Sequence, residues 1–348
     1  MFGRKTSAHK KIQLNLVSPT KFDWTNVANE MVKGCYIPYD KAKAIYLWLT
    51  DNIQYDTSYS IHDADTAWKK RKGVCQAYCE LFYRIGTAAG LDVRIITGHG
   101  RGKENERRVI EDHCWIVVNK DPYPPKPSPF PEAIIYEKGQ EESANIQITK
   151  GLNRHNAILI EPTWGAGLVE NGKFVKNDHD MSWFDVDPCW MIFTHYPKNP
   201  LDQMLGGFAL SSEDYKQLPY LHPCYAEYGF ECTDLLSFFI HKGSCDFPKI
   251  YPRFGNYIEF IDIPISSSLQ LYERYSINLI KKQDCHLAII NEKDFLFDDE
   301  GTSAWKCNGQ TWSILFSPKR RGTLSLSIRD NNNKELYHSI LEYKIKKN

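Results

Sequence analysis

The segment from Arg71 to Ala89 constrains the fold most, because a glycine and a cysteine lead directly into an apolar pattern of helical period. The pattern consists of Cys75, Cys79, Phe82, Ile85 and Ala89. Residues at this spacing share one face of an α-helix, so the segment predicts a helix that begins near Cys75 and buries that face. Gly73 suits a tight turn at its entry.

The position of Cys75 in the first turn of this helix makes it a candidate nucleophile. A free thiol with a pKa of about 8.5 is mostly protonated at neutral pH. A catalytic cysteine therefore needs a positive helix end or a neighbouring imidazolium to hold it as a thiolate. The dipole of the predicted helix contributes partial positive charge at Cys75.

Two later segments offer the partners that a thiol nucleophile uses. His113 precedes an apolar strand at Trp115 to Asn119, and Glu161 closes another strand at Ala157 to Ile160. An imidazole would accept the thiol proton and return it to the leaving group, while a carboxylate would fix the imidazole tautomer. We expect neighbouring strands to bring His113 and Glu161 together.

Each of these three residues also has a purely structural interpretation. Buried cysteines are common and usually inert. A histidine at a strand edge is more often a core or surface residue, and a glutamate before a proline is usually part of a solvated turn. The joint pattern, rather than any single residue, indicates catalysis.

Six motifs, in consistent order between Pro38 and Gly167, resemble the transglutaminase-like superfamily. They are Lys41–Trp48, Asn52–Asp56, Gly73–Tyr78, Gly90–Val93, His113–Trp115 and Glu161–Gly167. Within this superfamily the chain most resembles the kyphoscoliosis peptidase group and its bacterial relatives. Three stretches carry the closer resemblance, namely Thr163–Gly167, Thr194–Lys198 and Phe208–Pro219.

The resemblance implies a papain-like α+β core with Cys75 as nucleophile, His113 as general base and acid, and Glu161 as the orienting acid. The family usually has aspartate at the position of Glu161. The implied function is a thiol-dependent acyl-transfer enzyme that acts on peptide or glutamine amides through an acyl-cysteine intermediate, without a cofactor. A cysteine peptidase, a deamidase and a protein crosslinker all fit this chemistry.

A second function stays open from the sequence. Members of the superfamily that lose the triad serve as scaffolds, so the alternative is a catalytically weak or inactive protein-binding module. Cys75 and His113 argue against this alternative, whereas Glu161 leaves it open. In both cases we expect a protein or a peptide as the partner.

The length of the chain predicts more than one domain, because 348 residues exceed what a single hydrophobic core usually serves. After Tyr257, short β-rich runs are separated by turn residues, a texture typical of a β-sandwich. We predict a catalytic domain at 1–204, a helical connector at 205–256 and an immunoglobulin-like β-sandwich at 257–348. The fold class is α+β.

Three further stretches are predicted to lie outside regular structure. Gly98–Gly102 lacks the ending and the following helix of a phosphate-binding loop, so we interpret it as a hairpin loop. The proline-rich insertion Tyr123–Asn153 is longer than most loops and is predicted to lie beside the site. Asp330–Lys334 is most simply a hairpin tip.

Composition argues against several partners and locations. Lys plus Arg and Asp plus Glu number 43 each, and without a basic stripe a nucleic acid is not an expected partner. No run approaches about 18 consecutive apolar residues, and the N-terminal residues lack the apolar core of a signal peptide. These features predict no membrane span and a cytoplasmic protein, with a secreted or periplasmic location as the alternative if a leader was removed.

The ten cysteines are scattered along the chain and lack the dense spacing of a disulfide scaffold. Cys75 and Cys79 stand one helical turn apart, with His113 and Cys114 elsewhere. A structural zinc site usually shows paired ligands on both sides, and the second pair is missing here. The sequence therefore predicts no metal site.

Overall fold

A computed structural model gives the fold of the chain in stretches separated by gaps. It describes residues 22–104, 107–120, 134–135, 156–177, 180–205, 208–242, 247–251, 254–292, 294–298, 305–330 and 336–347. These residues fall into two compact units. Unit 1 draws on Met1–Ile96, Cys114–Pro125 and Asn156–Phe184, and unit 2 draws on Thr97–His113, Lys126–His155 and Asp185–Asn348.

The described residues form eight α-helices and three short 3-10 helices. The α-helices are α1 (Trp24–Met31), α2 (Pro38–Asn52), α3 (Ala64–Lys70), α4 (Cys75–Ala88), α5 (Pro162–Ala166), α6 (Pro188–Met191), α7 (Ser212–Gln217) and α8 (Cys232–Lys242). The 3-10 helices are Met181–Trp183, Pro200–Gln203 and Pro223–Tyr228. Helix α4 confirms the helix that the apolar pattern predicts after Gly73.

The strands of the described residues are short in the first half of the chain, apart from two long ones. They are β1 (Gln54–Tyr55), β2 (Lys72–Gly73), β3 (Asp92–Glu104), β4 (Arg107–Asn119), β5 (Ile134–Ile135), β6 (Ala157–Ile160), β7 (Gly167–Glu170), β8 (Lys173–Lys176), β9 (His195–Pro197), β10 (Phe208–Ala209), β11 (Lys249–Ile250), β12 (Ile258–Asp262), β13 (Ser268–Gln270), β14 (Tyr275–Lys281), β15 (Cys285–Asn291), β16 (Asp294–Asp298), β17 (Trp305–Asn308), β18 (Thr311–Phe316), β19 (Gly322–Asp330) and β20 (His338–Lys346). Strand β6 confirms the apolar strand before Glu161.

In unit 1, helix α4 packs against α1, α2 and α3 and buries the face that the sequence predicts. The side chains of Cys79, Phe82 and Ile85 have no exposed surface. The hydroxyl of Tyr78 donates a hydrogen bond of 2.7 Å to the carbonyl of Ile53, directly after α2. The start of α4 is thereby fixed to the core of the unit.

Two very short parallel strands lead the chain into α4. Strand β1 pairs with β2, with Tyr55 opposite Gly73. A Cβ atom at Gly73 would lie 2.5 Å from the Cβ of Ala77 and 3.3 Å from that of Ala67. Glycine is therefore required here by close packing in an extended segment, and not by the tight turn that we predicted.

In unit 2, the part of β3 that follows Ile96 pairs with β9. Gly98, His99 and Gly100 pair with Pro197, Tyr196 and His195 respectively. Gly98–Gly102 therefore lies within a strand, and its interpretation as a hairpin loop is wrong. Gly100 leaves room for the side chain of His113 while its backbone continues the ladder.

Arg101 anchors this strand in the core of unit 2. Its guanidinium has no exposed surface and donates hydrogen bonds to the carbonyls of Phe193 (2.7 Å), Tyr215 (2.9 Å) and Leu218 (2.8 Å). It also lies 4.5 Å from the centre of the Tyr215 ring. Because a buried charge without polar partners is costly, these contacts tie the segment around α7 to β3.

The described residues after Lys249 form two sheets within unit 2. One has the order β11-β20-β19-β15-β16 with β13 parallel to β20, and the other has the order β12-β14-β18-β17. Ile277 and Leu279 of β14 are buried at alternate positions, as expected for a half-buried strand. The short β-strands that the sequence predicts after Tyr257 are thus present. Its assignment as an immunoglobulin-like sandwich stays a prediction, as do the domain boundaries.

Two predicted loops fall largely outside the described residues. Of the insertion Tyr123–Asn153, only β5 is described, and it pairs with β10. Of the predicted hairpin tip Asp330–Lys334, Asp330 is the last residue of β19, and the other residues lie outside the described part. Among the helices that the structure describes, none combines the length and the apolar character that crossing a membrane would take.

Candidate active site

Cys75 is the first residue of α4, and its side chain is partly exposed. The N-cap residue, Val74, makes no side-chain hydrogen bond to the first turn, and that turn contains no acidic residue. The partial positive charge of the helix end is therefore not offset by a carboxylate of the same turn. This is the environment that favours a thiolate.

Two buried cysteines of unit 1 lie beside Cys75. The thiol of Cys114 makes side-chain hydrogen bonds with Cys75 and with Cys79. The bond with Cys75 favours the Cys114 thiolate, but the bond with Cys79 and burial oppose it, so that the pKa of Cys114 is well above its usual value. Burial likewise raises the pKa of Cys79. These two thiols stay protonated, which leaves Cys75 as the partly exposed thiol of the group.

Glu161 is a buried carboxylate of unit 1 near this group. It has no exposed surface, so its interpretation as a solvated turn residue is wrong. Its Oε1 accepts hydrogen bonds from the backbone N–H groups of Thr163 (2.8 Å) and Trp164 (3.1 Å) and caps α5. After burial and the bond with Cys114, its negative charge is the next influence on the pKa of Cys79, which it raises.

The backbone around Glu161 explains why the residue is held so firmly. Its N–H donates a hydrogen bond of 2.9 Å to the carbonyl of Trp183. Pro162 then opens α5 with the fixed φ that suits a first helical residue. A Cβ atom at Gly165 would overlap the Tyr46 hydroxyl oxygen, so α5 approaches α2 closely. The carboxylate therefore sits on a rigid strand-to-helix junction.

His113 belongs to unit 2 and lies within strand β4, not at the start of a strand as we predicted. The strand is longer than its apolar part because the residues before His113 also join the ladder. A Cβ atom at Gly100 would lie 3.1 Å from the Cβ and Cγ atoms of His113 and 3.2 Å from its Cδ2. Glycine at this position in β3 leaves the space that the imidazole occupies.

His195 is a second histidine beside His113, and sequence reasoning gave it no role. The two ring centres are 5.2 Å apart. His195 is buried, and its Nδ1 lies 2.8 Å from the hydroxyl oxygen of Thr194. The signal for His195 was present in the Thr194–Lys198 stretch of the family resemblance. Only the pairing of β9 with β3 brings it next to His113.

Replacement of Gly100 by alanine is expected to lower turnover about 10-fold with little loss of stability. The new methyl group would force the His113 ring to move by a few tenths of an ångström, and displacements of about 1 Å cost roughly 100-fold in rate. Gly102→Ala is the matched control, because a Cβ atom there meets nothing within 4 Å. Equal turnover of the two variants on a fluorogenic peptide amide would contradict the role of Gly100.

Asp56 fixes the backbone that leads into Cys75. The carboxylate has no exposed surface. It accepts hydrogen bonds from the side chains and N–H groups of Ser58 and Ser60 and from the N–H of Ile61, and it forms an ion pair of 3.0 Å with Lys72. Burial opposes its ionisation, but these hydrogen bonds outweigh it and hold the pKa of Asp56 well below its usual value.

The two ends of this loop are bonded to the residues directly before Cys75. The N–H of Asp56 donates a hydrogen bond of 3.0 Å to the carbonyl of Gly73. The N–H of Val74 donates another of 3.0 Å to the carbonyl of Ile61. A loop held by one buried carboxylate therefore supports the last residues before the thiol. Asp56 lies in a motif of the family resemblance but was not among the residues to which the sequence assigned a role.

The predicted catalytic residues are thus placed as follows. Cys75 and Glu161 lie in unit 1, where both influence the pKa values of the Cys79 and Cys114 thiols. His113 lies in unit 2 beside His195. The joining of Cys75, His113 and Glu161 into one triad stays a prediction.

Comparison with known proteins confirms the family resemblance. Residues 25–123 match the model of the Transglutaminase-like superfamily. This segment includes Cys75 and His113 and ends before Glu161. The chain therefore contains a transglutaminase-like core with mixed helix and sheet content.

Two curated relatives are similar to half of the chain. Kyphoscoliosis peptidase from Homo sapiens and that from Mus musculus are each 22% identical over 191 residues, which is 51% of this chain. The chain spans about a quarter of the length of these relatives, 24% in each case. A solved structure described as that of a TGase is 13% identical, covers 63% of this chain and 47% of its own, and has a TM-score of 0.26. We infer nothing from that overlap.

Proposed function

We propose that the chain is a thiol-dependent acyl-transfer enzyme that attacks peptide or glutamine amides through an acyl-cysteine intermediate. The observation that carries this proposal is the position of Cys75, a partly exposed thiol at the uncapped start of α4 and next to two protonated thiols. The match of residues 25–123 to a transglutaminase-like model supports it. Kyphoscoliosis peptidase is a protein to which half of the chain is similar.

In the proposed cycle the Cys75 sulfur attacks the carbonyl carbon of the amide. The backbone N–H groups in the first turn of α4 stabilise the negative charge that develops on the carbonyl oxygen. His113, protonated, donates a proton to the departing nitrogen as the carbon–nitrogen bond breaks. An amine or ammonia leaves, and a thioester of Cys75 remains.

The second half of the cycle regenerates the thiol. Water or a primary amine attacks the thioester carbonyl, and His113 accepts the proton of this nucleophile. The carbon–sulfur bond breaks, and Cys75 leaves as a thiolate beside the imidazolium. Water gives a cysteine peptidase when the substrate is a peptide bond and a deamidase when it is a glutamine, whereas a lysine amine gives a protein crosslink.

Glu161 is proposed to orient His113 through the carboxylate oxygen that does not cap α5. A carboxylate bonded to one imidazole nitrogen selects the tautomer whose other nitrogen serves the reaction, and it stabilises the imidazolium. The firm hold on Oε1 by Thr163 and Trp164 would keep the second oxygen in a fixed direction. The rigid cap thus compensates for the longer side chain of glutamate relative to aspartate.

Glu161→Gln is expected to lower turnover roughly 10- to 1000-fold, less than the loss of about 10⁴ seen for a serine-protease triad. The loss is smaller because a thiolate–imidazolium pair already carries its charge before the reaction. The glutamine oxygen can still cap α5, so the change isolates the charge. Turnover against pH for this variant and for Glu161→Asp, on fluorogenic peptide amides and glutamine peptides, provides the measurement.

Asp180→Asn is the control for this experiment, since Asp180 is another capping carboxylate of unit 1 and accepts from the N–H of Ser182. We expect it to keep wild-type turnover. If Glu161→Gln also matches wild type at every pH, the site is a Cys–His dyad and Glu161 serves only α5.

The alternative function is a catalytically weak or inactive protein-binding module. The observation that favours this alternative is that Glu161 Oε1 caps α5. This cap gives the residue a structural role that does not require catalysis. A module of this kind would bind a peptide at the Cys75 site without releasing ammonia or amine. Peptide binding that survives Cys75→Ala, combined with no turnover of any peptide by wild type, would support the module over the enzyme.

A further inference from the structure

We propose that Asp187, Cys189 and Cys232 form a binding site for one divalent metal ion of the zinc type in unit 2. Their ligand atoms, one carboxylate oxygen and two sulfurs, all lie within 4.8 Å of one another. The site is separate from the residues assigned to acyl transfer. It goes beyond the proposed function and does not depend on it.

The fold builds this cluster from the beginnings of two helices. Asp187 is the N-cap residue of α6, and its Oδ1 accepts a hydrogen bond of 2.9 Å from the N–H of Cys189. Cys232 is the first residue of α8, which packs against α6. The two sulfurs therefore come from elements that are distant in sequence, and this explains why cysteine spacing did not predict the site.

The burial of the three residues suits a metal site with a solvent-facing side. Cys189 and Cys232 are 5% and 7% exposed, while Asp187 is partly exposed. Trp190 and Met191, which follow Cys189, are also buried. The partly exposed Asp187 gives the cluster one side toward solvent.

The donor set matches the coordination chemistry of zinc. Zn²⁺ binds thiolate and carboxylate ligands in a tetrahedron, with Zn–S bonds of about 2.3 Å. Two sulfurs of such a tetrahedron are roughly 3.8 Å apart, which is consistent with ligand atoms that all lie within 4.8 Å of one another. The fourth position would be taken by water or by a further ligand on the exposed side.

Two thiolates and a carboxylate within 4.8 Å of one another would repel each other without a cation. A divalent ion removes this repulsion because its positive charge stabilises all three ligands. Binding would release one proton from each thiol, and the ion with its three ligands would carry a net charge of −1.

The test uses Co²⁺ as a spectroscopic probe for Zn²⁺ in the full chain under reducing conditions. We expect one equivalent to bind, with the intense visible bands of thiolate-coordinated Co²⁺, and Zn²⁺ to displace it. Cys189→Ser and Cys232→Ser should each abolish the thiolate bands. Asp187→Asn keeps both sulfurs and should weaken binding by at least about 10- to 100-fold, the usual loss for an outer-shell partner.

Two controls separate this site from the other thiols. Cys224→Ser removes another buried cysteine of unit 2, and Cys75→Ser alters the cluster with Cys79 and Cys114. Both variants should bind Co²⁺ as wild type does. Loss of the bands only in Cys75→Ser, or wild type that binds no ion once reduced, would overturn the proposal. So would a Cys189–Cys232 disulfide that persists under reduction, since oxidised sulfurs cannot hold the ion.

Discussion

Cys75→Ala is expected to lower acyl turnover by at least about 10⁴-fold, because the proposed mechanism forms the acyl-enzyme on the Cys75 sulfur. The neighbouring thiols of Cys79 and Cys114 are buried and protonated, so neither can replace it. The fold should persist, because the Cys75 side chain is partly exposed and its loss leaves no enclosed cavity. Turnover of fluorogenic peptide amides and glutamine peptides, with thermal unfolding as the check on folding, gives the measurement.

Cys35→Ala is the matched control for this substitution. Cys35 is also a partly exposed thiol of unit 1, but burial, followed by the charge of Asp40, raises its pKa. We expect this variant to turn over like wild type. A Cys75→Ala protein that retains turnover within about 10-fold of wild type would remove Cys75 from the mechanism.

Asp56→Asn is expected to lower the free energy of unfolding by about 3 kcal/mol and to slow the reactions of Cys75 at the same time. The asparagine nitrogen would face backbone donors instead of accepting from them, and Lys72 would lose its partner. The loop would then loosen its hold on Gly73 and Val74. Urea unfolding and the alkylation rate of Cys75 report the two effects.

The pH dependence of the free energy of unfolding separates the contribution of the Asp56 charge from that of the size and geometry of its side chain. The pKa of Asp56 is lowered in the folded state, so its ionisation stabilises the fold fully above the unfolded pKa of about 4, and this contribution is lost as the pH falls. The stability gap between wild type and Asp56→Asn should therefore narrow below about pH 4. A gap that is constant down to about pH 2 would show that ionisation of Asp56 is not the source.

Asp51→Asn is the control for this pair of measurements. Asp51 forms an ion pair of 2.9 Å with Lys176, but both side chains are substantially exposed. Exposed pairs contribute less than about 1 kcal/mol. This variant should leave both stability and Cys75 alkylation nearly unchanged.

Local periodicity was sufficient to predict the thiol side of the site. The apolar spacing after Gly73 predicts the helix α4 and its buried face, which includes Phe82 and Ile85. The apolar run before Glu161 likewise gives β6. Both elements are specified by residues close in sequence, so a single sequence contains the information.

The features that sequence reasoning missed depend on contacts between distant segments. Gly98–Gly102 looks like a loop because glycine favours turns, but its backbone is paired with β9, about a hundred residues further on. His195 acquires a role only through that pairing. Asp56 is a polar residue in a short loop, and its importance becomes visible only when Gly73 is found bonded to it.

The central claim is most directly tested by brief alkylation with iodoacetamide at about pH 6, followed by mass spectrometry of each cysteine. An ordinary thiol is well under about 1% thiolate at this pH. Cys307 is the exposed thiol of the described residues and therefore serves as the control for exposure. The account predicts that Cys75 is labelled well before Cys307 and Cys35. Labelling that follows exposure, with Cys307 first, would contradict it.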